Sequence, residues 1–365
     1  MATFDMVFEG GGAKGIAFVG ALEAFSAAGH TPGRLIGTSA GAITATLLAA
    51  KFTPAELRAA VTERLSDGKP RFSTFMDKPT KDDFSDSVID QSETMEAFNS
   101  VQPGLLGRVL GKLDRGVLDA LLHTSLYAQL FSFEECGGLF VGKAFLAWLS
   151  EQLKGKGIGK DDTLQDFHTK TGADLSLVAS DTTDKEMLVL NHRTAPQCPV
   201  ALAVRMSMSI PFVWQAVLWE ESWGLYLKRP KAGNAIVDGG VLSNFPIRLI
   251  AERDDDIMGG ADPNAARNLG LLIDETLSVP GVSAEGNKPQ LATRLRTVQR
   301  VTRLIDTMTE ARDNDAIRQH QDEICRVPAK GYGTTEFDMS AEKLEALING
   351  GRQAMQAYLS AHRFA

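Results

Sequence analysis

The chain has 365 residues, above the usual size of one domain but within reach of an α/β enzyme built on a single sheet. Hydrophobic residues make up 44% and charged residues 23%, which excludes a disordered chain. With 38 Lys and Arg against 46 Asp and Glu, the formal net charge is −8, which leaves no basic footprint for a nucleic-acid partner and does not favour non-specific attraction to anionic lipid globally.

Phe4 to Phe8 reads as a short strand, with no signal peptide ahead of it. The run Glu9-Gly10-Gly11-Gly12-Ala13-Lys14-Gly15 follows and leads into a helix over Ile16–Ala28. Consecutive glycines let a backbone turn its N–H groups inward as an anion-binding nest. The run also fits G-x-G-x-x-G, but a dinucleotide site expects an acid about 20 residues on, and none lies between Arg34 and Lys51. A P-loop fails as well, because Gly15 is followed by Ile16. A third use is an oxyanion hole beside a nucleophile.

Leu35–Gly37 reads as a second, parallel strand with the helix 16–28 as its crossover. Gly37-Thr38-Ser39-Ala40-Gly41 is a G-x-S-x-G, the pattern of a serine held on a sharp strand-to-helix turn. A Cβ at Gly37 or Gly41 would crowd that turn. The helix Ala42–Lys51 then points its free N–H groups at any negative charge forming near Ser39. Thr53-Pro54-Ala55-Glu56 is a capping box with Pro at the first position, opening a helix to about Leu65.

From Gly68 to Glu134 the character changes. Residues 77–96 are polar and acidic, and an apolar stripe at helical spacing runs from Leu105-Leu106 to Leu121-Leu122. It suits a helix packed on the body, or a lid or lipid-docking element. Gly142–Lys154 is a further helix, Leu175–Ala179 and Met187–Asn191 are strands, and Pro199–Met208 is a short helix. Trp214, Trp219 and Trp223 suit packing beside a site better than a membrane anchor. Ala235-Ile236-Val237-Asp238-Gly239-Gly240 is a strand ending in an acid and two glycines, which makes Asp238 a candidate base. Asp254-Asp255-Asp256 lacks the ordered spacing of a calcium loop. Asn268–Ile273 reads as a buried strand, Thr293–Ile324 as a long amphipathic helix, and Ser340 caps a last helix through about Ala361. Cys136, Cys198 and Cys325 show no metal spacing and suggest free thiols in a reducing, cytoplasmic setting. No apolar run approaches the ~18 residues of a membrane span, so contact with lipid is expected to be peripheral.

Together the glycine loop, the serine turn and the Asp-Gly-Gly resemble the patatin-like phospholipases, a family of lipid acyl hydrolases. Ser207-Met208-Ser209-Ile210-Pro211-Phe212, Val178-Ala179-Ser180-Asp181 and Gly240-Val241-Leu242-Ser243-Asn244-Phe245-Pro246 are similar to further family segments. The resemblance runs from Phe4 to about Leu359, with nothing carried over for Gly68 to Glu134. It implies one catalytic domain over 1–365, a three-layer α/β/α fold with a mostly parallel central sheet, and an insertion at 68–134.

The expected chemistry is a Ser39–Asp238 dyad hydrolysing a lipid ester, of phospholipase A or lysophospholipase type. Gly10 to Gly15 would form the oxyanion loop, with Gly11, Gly12 and Ala13 as donors and Lys14 as an electrostatic aid or a solvated lysine. Gly37 and Gly41 would shape the nucleophile turn, and Gly239 and Gly240 the base loop. No metal or cofactor is required. A Ser-Asp-His triad would need His320 or His362, both of which look like polar helix positions. The alternative is an effector-like phospholipase, silent until a partner protein or second messenger binds.

Overall fold

The computed structural model describes residues 1–94, 115–253, 255–259, 266–281 and 313–362. Strand β1 (Thr3–Phe8) leads through a 3-10 turn over Gly12–Ile16 into helix α1 (Ala17–Ala27), which returns the chain to β2 (Thr31–Thr38) beside β1 and parallel to it. Helix α2 (Ala40–Ala49) leaves the end of β2 with one residue between, and α3 (Pro54–Thr62) starts on the expected Thr53/Glu56 capping box. The remaining strands of the main sheet are β3 (Leu175–Asp181), β4 (Glu186–Leu190), β5 (Val217–Leu218), β6 (Ala235–Asp238), β7 (Arg267–Ser278) and β8 (Ile324–Lys330). Their order is β8-β7-β1-β2-β3-β6-β5, with β4 also paired to β3. The β8–β7–β1–β2–β3 pairs are parallel, and β4, β5 and β6 join antiparallel.

A sheet buried on both faces needs apolar residues at successive positions, and these strands have them. Phe4, Met6 and Phe8 of β1 face one core and Val7 the other; Leu35 and Ile36 divide in the same way. The first core lies under α1, α2 and α4 (Ala341–Ala361), the second under Phe245, Ile247, Ile250 and Ala316. This is the expected three-layer α/β/α architecture with a mostly parallel sheet. Because β1 and β2 are parallel, both glycine turns fall at the carboxyl ends of strands, where open α/β sheets place their sites.

In the 68–134 stretch, the described part contributes helices over Arg115–Leu122 and Ser125–Glu135. Leu118, Leu122, Ala128 and Phe131 close on Phe84 and Ile89 in a small core of their own. That end of the apolar stripe therefore packs against other parts of the same stretch; Leu105, Leu106, Val109, Leu110 and Leu113 lie outside the described residues. Within the expected helix 293–324, residues 293–312 also lie outside them. Its end is a correction: residues 313–319 are helical, a turn follows over Gln321–Glu323, and Ile324 opens the edge strand β8. Ile324, Cys325 and Val327 are divided between the two faces of the sheet, and an edge tolerates Pro328, which has no N–H to donate.

Candidate active site

Ser39 sits between β2 and α2 with φ 53° and ψ −119°, a backbone region that residues with a Cβ seldom occupy. The turn is tight enough that a Cβ on Gly37 would strike the backbone of Gly41, and one on Gly41 the carbonyl of Phe8. The Ser39 N–H donates to Ser207 Oγ at 3.0 Å, and Ser207 Oγ donates on to Val178 O at 2.6 Å. Its side chain is almost buried, with 5% of its surface exposed.

The glycine loop crosses in front of this turn. Gly10 N donates to Asn244 O at 3.0 Å, and Asn244 Nδ2 donates back to Gly10 O at 3.0 Å. Gly12 has φ +55° and lies so close to the carbonyl of Thr334 that no side chain fits there. Ala13 N donates to that same carbonyl at 2.8 Å, and Lys14 N to Gly11 O at 3.2 Å. Ala13 thus differs from expectation, its N–H being spent on Thr334. The N–H groups of Gly11 and Gly12 meet no acceptor among the described residues. Gly15 packs against Ala40. Lys14 is no solvated lysine: it is 5% exposed and its ammonium pairs with Glu275. Glu9, just ahead of the loop, is half-buried, and the desolvation of its carboxyl pushes it up to about 8 against the pull of the Ile273 N–H and of Lys14.

Asp238 ends β6, and the register sets it opposite Ala179, which follows Val178, the partner of Thr38. Asp238 and Ser39 therefore stand at one level of the sheet with β3 between them. Asp238 N donates to Ser209 O at 2.9 Å, and Asp238 Oδ1 accepts from Gly240 N at 2.7 Å. A Cβ on Gly239 would strike the carbonyl of Val178, so the base loop needs its glycine for close approach. Ser209 Oγ donates to Arg205 O at 2.6 Å and accepts from the Arg205 guanidinium, which also donates to Val141 O and Gln215 O. Burial lowers that guanidinium to about 10.

Two cavities meet at the serine. One is an apolar slot lined by Ile43, Leu47, Phe75, Trp148 and Trp214. The other is a polar cavity of about 460 Å³ containing Glu9 to Gly12, Lys14, Asp238, Asn244 and Asp313. Among the described residues only Gly12, Ser39 and Ile210 line both, so Ser39 is the one hydroxyl among them in the shared wall. Trp219 and Trp223 are buried. His320 pairs with Glu323 and His362 with the Tyr358 carbonyl; neither lines either of these two cavities. Asp181, Asp184 and Glu186 form the one cluster of possible metal ligands among the described residues. The buried Lys231 ammonium already fills it, bonded to all three carboxylates. Burial would lower the Lys231 ammonium, but its hydrogen bonds to Asp184, Glu186 and Asp181 hold it above its ordinary value. The three cysteines are free thiols, and burial pushes Cys136 up to about 11.

Ser207, Ser209 and Asn244 lay inside segments singled out in the sequence, without a role. Glu9 opened the glycine run unremarked, and Asp313 and Thr334 belong to no motif.

The patatin-like phospholipase family model matches residues 6–251, and the chain belongs to that family. An uncharacterized protein of Bacillus subtilis, YqhO, is 29% identical over 363 residues, covering 97% of each chain. A probable lipid hydrolase of invertebrate iridescent virus 6, 463L, is 26% identical over 113 residues, covering 31% of this chain and 35% of its own. Among solved structures, VipD of Legionella pneumophila matches 98% of this chain and 67% of its own at 16% identity and a TM-score of 0.50, a likeness of fold alone. Among the described residues, no helix is long and apolar enough to cross a membrane.

Proposed function

We propose that the protein is a lipid acyl hydrolase of phospholipase A or lysophospholipase type, with Ser39 as nucleophile and Asp238 as base. The observation that carries this is the position of Ser39 in the wall shared by an apolar slot and a polar cavity that holds Asp238. An acyl chain in the slot leaves its ester carbonyl at Ser39 and its polar part in the larger cavity. Asp238 takes the Ser39 proton as Oγ attacks the carbonyl carbon. The carbonyl oxygen becomes an oxyanion, to which the N–H groups of Gly11 and Gly12 donate. Collapse breaks the ester C–O bond, and Asp238 returns the proton to the departing alcohol. Water then gives its proton to Asp238 and attacks the acyl-enzyme; the fatty acid leaves and Oγ regains a proton. The buried Lys14 ammonium lies beside the loop, its charge balanced by the exposed Glu275 carboxylate.

The test is fatty-acid release from mixed phospholipid vesicles by wild type, Ser39→Ala and Asp238→Asn. Loss of release in both variants, with unchanged circular dichroism, is the expected result. An active Ser39→Ala would sink the mechanism. A wild type that works only after addition of cell extract would move the reading to the effector-like alternative.

A further inference from the structure

Three parts of the site converge on residues 243–245. Thr38 Oγ1, beside the nucleophile, donates to Ser243 O at 3.3 Å. Asn244 exchanges two hydrogen bonds with Gly10, at the start of the glycine loop. The same Asn244 amide nitrogen donates to Glu9 Oε1 at 3.1 Å, while Glu9 Oε2 accepts from Ile273 N at 2.5 Å. Upstream, residues 243–245 continue directly from the Asp238-Gly239-Gly240 turn.

One carboxylate holds this junction. Asp313 Oδ1 accepts from Ser243 Oγ at 3.0 Å, and Asp313 Oδ2 accepts from Asn244 N and Phe245 N, each at 2.8 Å. Asp313 is buried, begins the described helix 313–319, and belongs to none of the sequence motifs. A carboxylate suits the place because both oxygens accept and neither donates. An amide would set an N–H against one of three N–H or O–H donors.

We propose that Asp313 and Asn244 are positioning residues for the reaction: Asp313 fixes the 243–245 turn, and through it Asn244 holds the Gly10–Gly12 loop in place against Ser39. This rests on the reading of that loop as the oxyanion hole. Neither residue needs to touch the reacting carbonyl. They act on where the Gly11 and Gly12 N–H groups point, and a displacement of ~1 Å there can cost about 100-fold in rate. The oxyanion forms only on the way to the transition state. A loosened loop therefore lowers kcat and kcat/KM together and leaves KM in place.

The test uses full-length Asp313→Asn and Asn244→Ala. Turnover of a water-soluble butyrate ester is measured beside hydrogen exchange of the peptides covering residues 9–15 and 40–49. The expected result is a fall in kcat of roughly 10–100-fold at unchanged KM. Exchange should rise in 9–15 and stay near wild type in 40–49. Ser39→Ala should abolish turnover without changing exchange in 9–15. Unchanged exchange in 9–15 in both variants, or a raised KM with kcat intact, overturns the proposal. Turnover surviving in Ser39→Ala would instead refute the catalytic reading, and the exchange data would still decide whether Asp313 and Asn244 hold the loop. Should Asp313→Asn fail to fold, Asn244→Ala alone decides, since it leaves the Asp313 bonds to Ser243 and to the backbone intact.

Discussion

The backbone of Ser39 yields a prediction that separates chemistry from stability. At φ 53° and ψ −119° a residue with a Cβ stores ~1–3 kcal/mol of strain, whereas glycine occupies the region freely. Ser39→Gly relieves that strain, but glycine also loosens the unfolded chain, which costs ~0.5–1 kcal/mol. The net expectation is a gain of about 0.5–2 kcal/mol for Ser39→Gly. Ser39→Ala keeps the Cβ and so keeps the strain; its stability should stay within ~0.5 kcal/mol of wild type. For a chain of this length the glycine gain corresponds to ~1–3 °C in the thermal midpoint. Differential scanning calorimetry on the three proteins under one condition measures it, and both variants should be inactive on esters. If Ser39→Gly proves no more stable than Ser39→Ala, the turn is not strained and the reasoning fails.

Three further consequences concern the surroundings. Burial raises the Glu9 carboxyl from 4.5 to about 8, so the folded state keeps a proton that the unfolded chain releases between those values. That contribution to stability is complete below about pH 4.5 and is lost as pH rises through 8, a loss of about 5 kcal/mol. Urea midpoints from pH 5 to 9 should fall more steeply for wild type than for Glu9→Gln, and parallel slopes would refute this. Lys231→Met strands the buried Asp181 carboxylate, at a cost of ~3–5 kcal/mol. Adding Asp181→Asn should recover part of the lost thermal midpoint; a double variant no more stable than the single one would contradict the pairing. Ile43 lines the slot one helical turn beyond Ser39, ~6 Å along α2. Ile43→Phe should lower kcat/KM for a palmitoyl ester ~10-fold or more relative to an acetyl ester, and an unchanged ratio would place the acyl chain elsewhere.

Which parts of the molecule were legible follows from how local each signal is. The strand–glycine–helix units at 4–28 and 35–51 carry their own periodicity and turn chemistry, and the structure reproduces them with shifts of a few residues. The capping box of α3 and the Ser340 cap of α4 read directly, because cap and partner lie three residues apart. The edge strand β8 did not. Only Ile324 falls within an expected element, the end of the helix 293–324; Pro328 interrupts the strand signal, and the partner that makes it a strand, β7, lies some 50 residues earlier. The site divides along the same line. Ser39, Asp238 and the glycines announce themselves because a tight turn limits which residues fit. Asp313 does its work through three hydrogen bonds to residues about 70 positions away, and such bonds leave no spacing to read.

The strain at Ser39 persists only if its surroundings over-determine it. The segment after β4 supplies that restraint and also holds Asp238. Ser207 Oγ takes the Ser39 N–H, and two residues later Ser209 O takes the Asp238 N–H. Ser207 sits at the end of the helix Val200–Ser207, and the buried Arg205 guanidinium on the same helix ties Ser209 to the carbonyls of Val141 and Gln215. Ser39 and Asp238, about 200 residues apart in the chain, are thus both tied through their main-chain N–H groups to one short segment. A Ser39–Asp238 dyad of the kind proposed has no third residue to orient its base, so the orientation comes from the backbone, and the Ser-x-Ser spacing meets that need. The two serines matter less as hydroxyls in a pocket than as a fixed interval between two main-chain N–H groups.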